Sequence, residues 1–228
     1  MIIAHRGVHN NKDLPENSLV AFKKALDKNY AIEFDIEITK DDKLVIHHDD
    51  NLIRMTGINK NVEDMDFNEI RKLHLLNTNE IIPTFKEVLE LVNGKVMLDI
   101  EIKNTKKVKR IVELVLNELE DYKGDLLLKS FNPFIVKEIK KKTNKYKAGL
   151  LLMKNTPNKG LNFLVKTGLI YKFPFDFLAV DKKMLNKDYY DKYINKYPIY
   201  VWTFNGLIEA EEYLKKYPKI ICICNDLD

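Results

Sequence analysis

The sequence contains only two cysteines, Cys222 and Cys224, which stand one residue apart in an apolar run. A pair at this spacing closes no useful disulfide loop, and no second pair of metal-ligating residues accompanies it. The pattern therefore excludes a disulfide-stapled secreted domain and favours a reducing compartment. With 228 residues, the chain is long enough to bury a sizeable core without cross-links.

Long apolar runs are also missing. No run approaches the roughly 18 residues that a transmembrane helix needs. The first residues show neither a basic segment nor an apolar segment with a cleavage site, so no secretory signal is predicted. We therefore expect a soluble cytoplasmic protein with no stable membrane insertion.

Arginine is scarce, since only Arg6, Arg54, Arg71 and Arg110 occur among the 38 basic residues. Because arginine supplies bidentate contacts to bases and phosphates, the chain has few residues suited to extensive recognition of nucleic acid. The 34 acidic residues interrupt nearly every basic stretch and leave a net charge of only +4. A nucleic-acid partner is therefore not expected, and the sequence indicates no particular oligomeric state.

The chain does contain an alternation of short apolar runs with longer segments of helical period. This alternation is typical of βαβ units, which build parallel sheets. Eight strands in 228 residues predict an α/β fold, a (β/α)8 TIM barrel. The strands are predicted at residues 1–4, 31–38, 96–102, 126–128, 148–152, 177–180, 199–203 and 220–224, and the helices at 18–28, 84–92, 106–122, 133–143, 161–168, 187–196 and 208–216.

The alternative fold, a doubly wound open sheet, is disfavoured because no G-x-G-x-x-G motif follows the first strand. No Ser/Gly-rich linker divides the chain, so we predict a single domain over residues 1–228. Residues 43–82 interrupt the alternation of strands and helices. They indicate a strand extension followed by a partly helical insertion after strand 2, mainly at residues 51–82. The chain ends just after the eighth strand, so the last helix is expected to be missing or rudimentary.

Two predicted strands carry acidic residues at every second position. Strict alternation places these residues on one face of each strand and apolar residues on the other. In a barrel the apolar outer face meets the helices, so the acidic face is expected to point inward. The residues on the two polar faces are Glu33, Asp35, Glu37, Asp99, Glu101 and Lys103.

Carboxylates that converge inside a barrel need compensation, because like charges in a low dielectric are costly. Raised pKa values, pairing with Lys103 or Arg6, or a bound cation would each provide it. Oxygen donors favour one hard divalent cation, Mg²⁺ or Ca²⁺, over Zn²⁺, which more often recruits His or Cys. The alternative is a pair of solvated edge strands with the same alternation, although a closed barrel has no such edge.

Two histidine-containing segments lie where strands are predicted to end. His5-Arg6-Gly7 follows the first strand, and the carboxyl ends of strands carry the active site of a TIM barrel. A histidine there can act as general acid or base, and an arginine can bind phosphate, but an ordinary loop is the more common interpretation of this tripeptide alone. His47 and His48 form the second candidate, and alternation does not decide which of them faces the site.

Together, these and further segments resemble the glycerophosphodiester phosphodiesterase family. The matches occur in order from residue 3 to about residue 206, and the series is far more specific than H-R-G or E-x-D alone. The matching segments are His5-Arg6-Gly7, Pro15-Glu16-Asn17-Ser18, Ala21-Phe22, Ile32-Glu33-Phe34-Asp35, Val45-Ile46-His47-His48-Asp49-Asp50 with Leu52, Arg54 and Thr56-Gly57, Ile82-Pro83-Thr84-Phe85, Glu87-Val88-Leu89, Ile100-Glu101-Ile102-Lys103, Ser130-Phe131-Asn132-Pro133 and Val201-Trp202-Thr203-Phe204-Asn205.

The resemblance implies an enzyme with a (β/α)8 barrel and one bound divalent cation. Such an enzyme hydrolyses glycerophosphodiesters, such as glycerophosphocholine or glycerophosphoethanolamine, to sn-glycerol 3-phosphate and an alcohol. By position, it implies Glu33, Asp35 and Glu101 as metal ligands. It implies His5 and His48 as the acid/base pair, because the family histidine directly precedes an aspartate.

The resemblance also implies a setting for these groups. Arg6 and Lys103 would bind the phosphate, and the insertion would shape the substrate pocket. Trp202 either stacks over the ligand, as the resemblance favours, or fills the barrel. The residues that could surround and orient this set are Glu16, Asn17, Glu37, Asp99, Ser130 and Asn205.

The last strand departs from the family pattern, since its Asp-Gly pair is absent and Asn225 stands in place of a threonine. Two other functions remain open. One is a lysophospholipase D acting on lysolipids, for which the aromatic residues within 171–177 could form a lipid-facing lip, although core packing is the more ordinary role of aromatic side chains. The other is a non-catalytic barrel that binds glycerophosphates.

Overall fold

The computed structural model describes residues 2–154 and 159–227. Met1, which opens the first predicted strand, lies outside the described residues, as do residues 155–158 and Asp228 of the predicted domain. The described chain forms a closed barrel of eight parallel strands with helices between them. The prediction of a (β/α)8 TIM barrel is therefore confirmed.

The barrel closes because its first strand pairs in parallel with both its second and its last strand. One further strand, the third in the chain, pairs antiparallel with the second and extends the wall outward. The strands are β1 (Ile2–His5), β2 (Ala31–Ile38), β3 (Leu44–Ile46), β4 (Leu98–Ile102), β5 (Leu126–Ser130), β6 (Lys147–Leu152), β7 (Phe177–Asp181), β8 (Ile199–Asn205) and β9 (Ile221–Asn225).

Side-chain caps determine where several of the helices begin. Ser18 accepts a hydrogen bond from the Ala21 N–H, and Thr84 and Glu87 form a capping box. Within the described residues no helix follows β9, as expected. The helices are α1 (Leu19–Asp27), α2 (Ile53–Thr56), α3 (Phe67–Ile70), α4 (Phe85–Val92), α5 (Val108–Glu118), α6 (Pro133–Lys142), α7 (Lys159–Thr167), α8 (Lys187–Tyr193) and α9 (Gly206–Lys216).

The predicted insertion after β2 is confirmed and has an apolar cluster of its own. It contains β3, α2, a 3₁₀ turn at Val62–Asp64 and α3. Because β3 pairs with residues 36–38 at the carboxyl end of β2, the insertion lies beside the mouth of the barrel. Its buried residues are Val45, Leu52, Met55, Val62, Met65, Ile70, Leu75 and Ile82.

Apolar side chains fill the barrel interior on the side away from the mouth, and one glycine makes room for them. Phe177 and Tyr200 pack there with ring centroids 4.9 Å apart. Gly149 is the register partner of Phe177 on the adjacent strand, and a Cβ at Gly149 would overlap the Phe177 ring. A side chain at residue 149 would therefore displace the ring that closes the barrel floor.

No helix in residues 2–154 and 159–227 is both long enough and apolar enough to cross a membrane.

Candidate active site

Three carboxylates from two neighbouring strands meet inside the barrel. The register of β2 and β4 places Asp35 beside Glu101 and Glu33 beside Asp99. One oxygen of each of Glu33, Asp35 and Glu101 lies within 4.8 Å of the others. These three side chains are 2%, 1% and 6% exposed, so they belong to the barrel interior and not to a solvated edge.

The chemistry of these donors fits a hard divalent cation. Carboxylate oxygens are the ligands that Mg²⁺ and Ca²⁺ prefer. Asn17 adds an independent observation, because its Nδ2 donates to Asp35 at 2.9 Å while its buried Oδ1 has no hydrogen-bond partner among the described residues. A buried acceptor without a partner costs free energy. The buried acidic cluster could therefore hold one cation.

Lys103 neutralises part of the charge on this cluster. Its Nζ lies 3.0 Å from Glu101 Oε1 and 3.5 Å from Asp35 Oδ1. Burial would raise the pKa of Asp35, but Lys103 and Arg6 hold that pKa well below its usual range. Burial raises the pKa of Glu101 more than Lys103 lowers it. Asp35 is thus the more readily ionised of the two.

Lys129 is a second buried cation, and the sequence reasoning missed it. The strand predicted at residues 126–128 stopped with the apolar run, whereas β5 continues through Lys129. Continued alternation from Leu127 would have placed this lysine inward. Its Nζ lies 2.7 Å from Asp99 Oδ2 and 3.2 Å from Glu33 Oε1, and burial raises the pKa of Asp99 to about 6. Lys129 therefore compensates carboxylates on both β2 and β4.

His5 faces the carboxylates from the end of β1. Its Nδ1 donates to Oδ1 of Asn225 at 2.7 Å, and its Nε2 lies 3.9 Å from Glu33 Oε2. Burial, helped by the charge of Arg6, lowers the pKa of His5 to about 3. The imidazole is therefore neutral, and its Nε2 lone pair is available. Asn225 was not among the expected site residues, and its position at the end of a barrel strand was the only signal for it.

His48 reaches the site, and the neighbouring His47 does not. His48 Nδ1 donates to Oδ1 of Asp49 at 2.6 Å, and Arg54 Nε donates to the other oxygen of Asp49 at 2.6 Å. These hydrogen bonds hold the pKa of Asp49 well below its usual range. His47 is buried, and its Nδ1 donates to the Asp49 carbonyl at 2.7 Å. The tertiary structure thus separates two histidines that alternation could not.

Arg6 is held at the site by a chain of charged groups. Its Nη1 donates to Glu16 Oε1 at 2.7 Å, and its Nε lies 3.6 Å from Asp35 Oδ2. Its backbone N–H donates to Glu33 Oε2 at 3.1 Å. Burial disfavours the charged form of Glu16, but hydrogen bonds from Arg54 and the charge of Arg6 hold its pKa well below the usual range. Glu16 therefore orients the guanidinium group of Arg6.

Trp202 and Ser130 lie close to this group. Trp202 lines the cavity and packs edge-to-face on Phe131, with ring centroids 5.7 Å apart. Ser130 is buried, and its hydroxyl donates to the Ile102 carbonyl at 2.6 Å. The Ser130 hydroxyl thus links β5 to β4, and Ser130 does not line the cavity.

Glu37 and Asn205 lie apart from the group. Glu37 is the next inward residue of β2 after Asp35, and its buried Oε1 has no hydrogen-bond partner within residues 2–154 and 159–227. Asn205 is exposed at the end of β8, and its backbone N–H donates to Glu209 Oε2 at 2.6 Å. The structure therefore does not bring Asn205 to the expected site.

Six of the eight residues expected to bind the metal, transfer protons or contact the substrate line one cavity at the carboxyl ends of the barrel strands. It has a volume of about 70 Å³. Carboxylates, fixed positive charges and two imidazoles surround the same space, an arrangement that can bind a phosphate and transfer protons to and from it. The polar and aromatic residues of the lining are His5, Arg6, Glu33, His48, Glu101, Lys129, Phe131, Trp202 and Thr203.

Comparisons with known proteins identify the family. The sequence model of the glycerophosphoryl diester phosphodiesterase family matches residues 5–217. A glycerophosphodiester phosphodiesterase of Caldanaerobacter subterraneus is 35% identical over 162 residues, which are 66% of each chain. Lysophospholipase D GDPD1 of Homo sapiens is 33% identical over 127 residues, which are 50% of this chain and 40% of the relative. The matches thus span two thirds or less of these two relatives.

A solved structure shares the fold over nearly the whole chain. An Oleispira antarctica phosphodiesterase in complex with the product sn-glycerol-3-phosphate superposes with a TM-score of 0.81 at 21% identity, covering 99% of this chain and 92% of that one. The resemblance inferred from the ordered motifs is therefore confirmed. The chain belongs to the glycerophosphoryl diester phosphodiesterase family and is an enzyme of the hydrolase class.

Proposed function

We propose that the protein hydrolyses glycerophosphodiesters, such as glycerophosphocholine or glycerophosphoethanolamine, to sn-glycerol 3-phosphate and an alcohol. One observation carries this proposal: Glu33 and Glu101 of the carboxylate cluster share one cavity with the imidazoles of His5 and His48. Cleavage of a phosphodiester requires charge neutralisation and proton transfer around one phosphorus atom. The cavity supplies groups for both.

The cofactor in this scheme is one divalent cation, Mg²⁺ or Ca²⁺, held by Glu33, Asp35 and Glu101. When bound, such a cation supplies positive charge for the phosphoryl oxygens and acidifies a hydroxyl group. Arg6 and Lys103 bind the non-bridging oxygens of the phosphate. Both side chains are fixed by neighbouring carboxylates, so little ordering remains to be done when the substrate binds.

The two histidines move the protons in this scheme. His5 donates from Nδ1 to Asn225, so its Nε2 lone pair accepts the proton of the attacking hydroxyl. His48 donates from Nδ1 to the Asp49 carboxylate, which fixes the orientation of its ring. As the hydroxyl oxygen bonds to phosphorus, the bond from phosphorus to the alcohol breaks, and His48 protonates the departing oxygen. Each positioned acid or base contributes on the order of 10²–10⁴ in rate.

Two attacking groups fit this scheme. The first is water, which yields sn-glycerol 3-phosphate directly. The second is the 2-hydroxyl of the substrate's own glycerol, which yields a cyclic phosphate that water then opens. Phosphorus NMR early in the reaction separates them, because only the second route accumulates a cyclic phosphate.

The test is release of sn-glycerol 3-phosphate from glycerophosphocholine in the presence of Mg²⁺ or Ca²⁺. Wild-type protein and Glu211→Gln, an exposed change on α9, are expected to release product, whereas Asp35→Asn is not. Binding of glycerophosphocholine by the wild-type protein without any release would show a non-catalytic barrel and would overturn the proposal.

An apolar groove beside the cavity favours a lysophospholipase D as the second candidate function. The groove has a volume of about 630 Å³, and Phe131 lines both it and the cavity. Phe134 and Phe163, at its rim, are 57% and 60% exposed. Phe173, from the aromatic segment expected to pack or to form a lip, packs edge-to-face on Phe134. A groove of this kind suits an acyl chain attached to the glycerol.

Hydrolysis of lysophosphatidylcholine tests this second candidate. We expect Phe163→Ser to raise KM for the lysolipid severalfold and to change KM for glycerophosphocholine little. Equal effects on both substrates would show that the acyl chain does not bind in the groove.

A further inference from the structure

A second cavity, of about 350 Å³, lies between the insertion and the barrel wall. Glu37 comes from β2, Asp50 follows β3, and Glu63 and Asp64 belong to the 3₁₀ turn of the insertion. Lys106 is the one basic side chain in its described lining. The three carboxylates on the solvent side, Asp50, Glu63 and Asp64, against one ammonium group give this cavity, here called the acidic cavity, a negative potential.

Glu37 distinguishes the acidic cavity from a solvated acidic surface. The residue is 2% exposed, and its Oε1 has no hydrogen-bond partner in the described structure. A buried polar atom in this state costs free energy, which a ligand carrying positive charge would recover. The ammonium group of Lys103 contacts Glu101 and Asp35 instead.

The spacing of the carboxylates selects the kind of cation. Among the described residues, the only three potential ligands whose atoms lie within 4.8 Å of one another are Glu33, Asp35 and Glu101. The oxygens of the acidic cavity are therefore not assembled for an inorganic ion, which needs oxygens at about 2.0–2.6 Å. An alkylammonium group is bulkier, and carboxylates arranged loosely around it neutralise it without direct coordination.

The acidic cavity also lies where one arm of the substrate would extend. Glu37 is two residues beyond Asp35 toward the mouth of the barrel, a distance of about 7 Å along a strand. Asp50 and Asn104 line both the acidic cavity and the apolar groove. From a phosphate near Asp35, two substituents can therefore follow different surfaces, one acidic and one apolar.

We propose that the acidic cavity binds the alkylammonium head group of the substrate, such as choline or ethanolamine, and selects cationic glycerophosphodiesters over neutral ones. The inference rests on the proposed function for the position of the phosphate. Asp50 and Glu63 supply charge from the insertion, and the buried Glu37 supplies an acceptor oxygen from the barrel.

The kinetic test compares glycerophosphocholine with glycerophosphoglycerol, a neutral-head-group substrate. In Asp50→Asn/Glu63→Gln, we expect the ratio of kcat/KM for the cationic over the neutral substrate to fall about fivefold or more, since each partly exposed carboxylate contributes up to about fivefold. Gln at residue 63 keeps the acceptor that Thr105 Oγ1 uses. Glu211→Gln/Glu212→Gln, at two exposed positions of α9, controls for the loss of two negative charges. An unchanged ratio, or an equal fall in this control, would overturn the proposal.

A binding test separates this proposal from the proposed function, because it requires no turnover. Choline chloride is titrated calorimetrically into the wild-type protein and the double variant at matched ionic strength. Binding weakened about fivefold or more in the double variant supports the acidic cavity, even if the wild-type protein hydrolyses no glycerophosphodiester. Equal binding by the two proteins overturns it, even if hydrolysis proceeds.

Discussion

The Nδ1 atom of His5 lies 2.7 Å from Oδ1 of Asn225, so the last strand of the barrel orients the imidazole at the end of the first strand. β1 and β9 pair in parallel, which brings these two strand ends together. The hydrogen bond selects the tautomer that leaves Nε2 free, 3.9 Å from Glu33 Oε2. Asn225 thus supports the site at a position where the sequence departs from the family pattern.

Replacement of Asn225 tests this support. We expect Asn225→Ala to lower kcat about ten- to hundredfold with little change in KM, because the ring loses its orientation and not its contact with substrate. Asn225→Asp retains an acceptor and is expected to keep most of the activity. Steady-state kinetics on glycerophosphocholine measure both, and wild-type kcat in Asn225→Ala would show that the hydrogen bond is irrelevant to turnover.

The two adjacent histidines are expected to behave differently. His48→Ala should lower kcat by at least about a hundredfold with the fold intact, since it removes a proton donor at the cavity. His47→Ala removes a buried side chain and should reduce thermal stability more than kcat. Circular dichroism melts and kinetics of both variants measure this, and the reverse outcome would assign the catalytic role to His47.

Metal removal should affect both activity and stability. Excess EDTA is expected to abolish product release, and Mg²⁺ or Ca²⁺ to restore it. At a hundred times its Kd, a bound ion stabilises the folded state by about 2.7 kcal/mol, which corresponds to a rise in Tm of about 5–10 °C for a chain of this size. Differential scanning calorimetry with and without the ion measures the shift. Full activity in EDTA would exclude the cation.

Lys129 should be important for stability. Lys129→Met leaves Asp99 and Glu33 without their shared cation, and we expect a loss of about 3–5 kcal/mol in the free energy of unfolding. Adding Asp99→Asn removes one of the uncompensated carboxylates, so the double variant should recover part of that loss. Urea unfolding of the wild-type protein, Lys129→Met, Asp99→Asn and the double variant measures this coupling. Independent, additive effects would show that the ion pair contributes nothing specific.

The inward-facing carboxylates and the barrel strands could be predicted from the amino-acid sequence alone. Glu33 and Asp35 were predicted to face inward, because successive side chains of a strand point to opposite faces. The same rule applied to Glu101, and the apolar runs predicted all eight barrel strands. Each of these inferences depends on residues within one element, where backbone geometry alone relates the side chains.

Contacts between groups that are distant in the sequence depend on the tertiary structure. His5 and Asn225 are 220 residues apart, and Lys129 and Asp99 are 30 residues apart. Lys129 reaches the carboxylates because β5 pairs with β4 in a register that sets it beside Glu101. Such contacts depend on strand order, register and barrel closure. These arise from packing over the whole sheet, so no short pattern of residues encodes them.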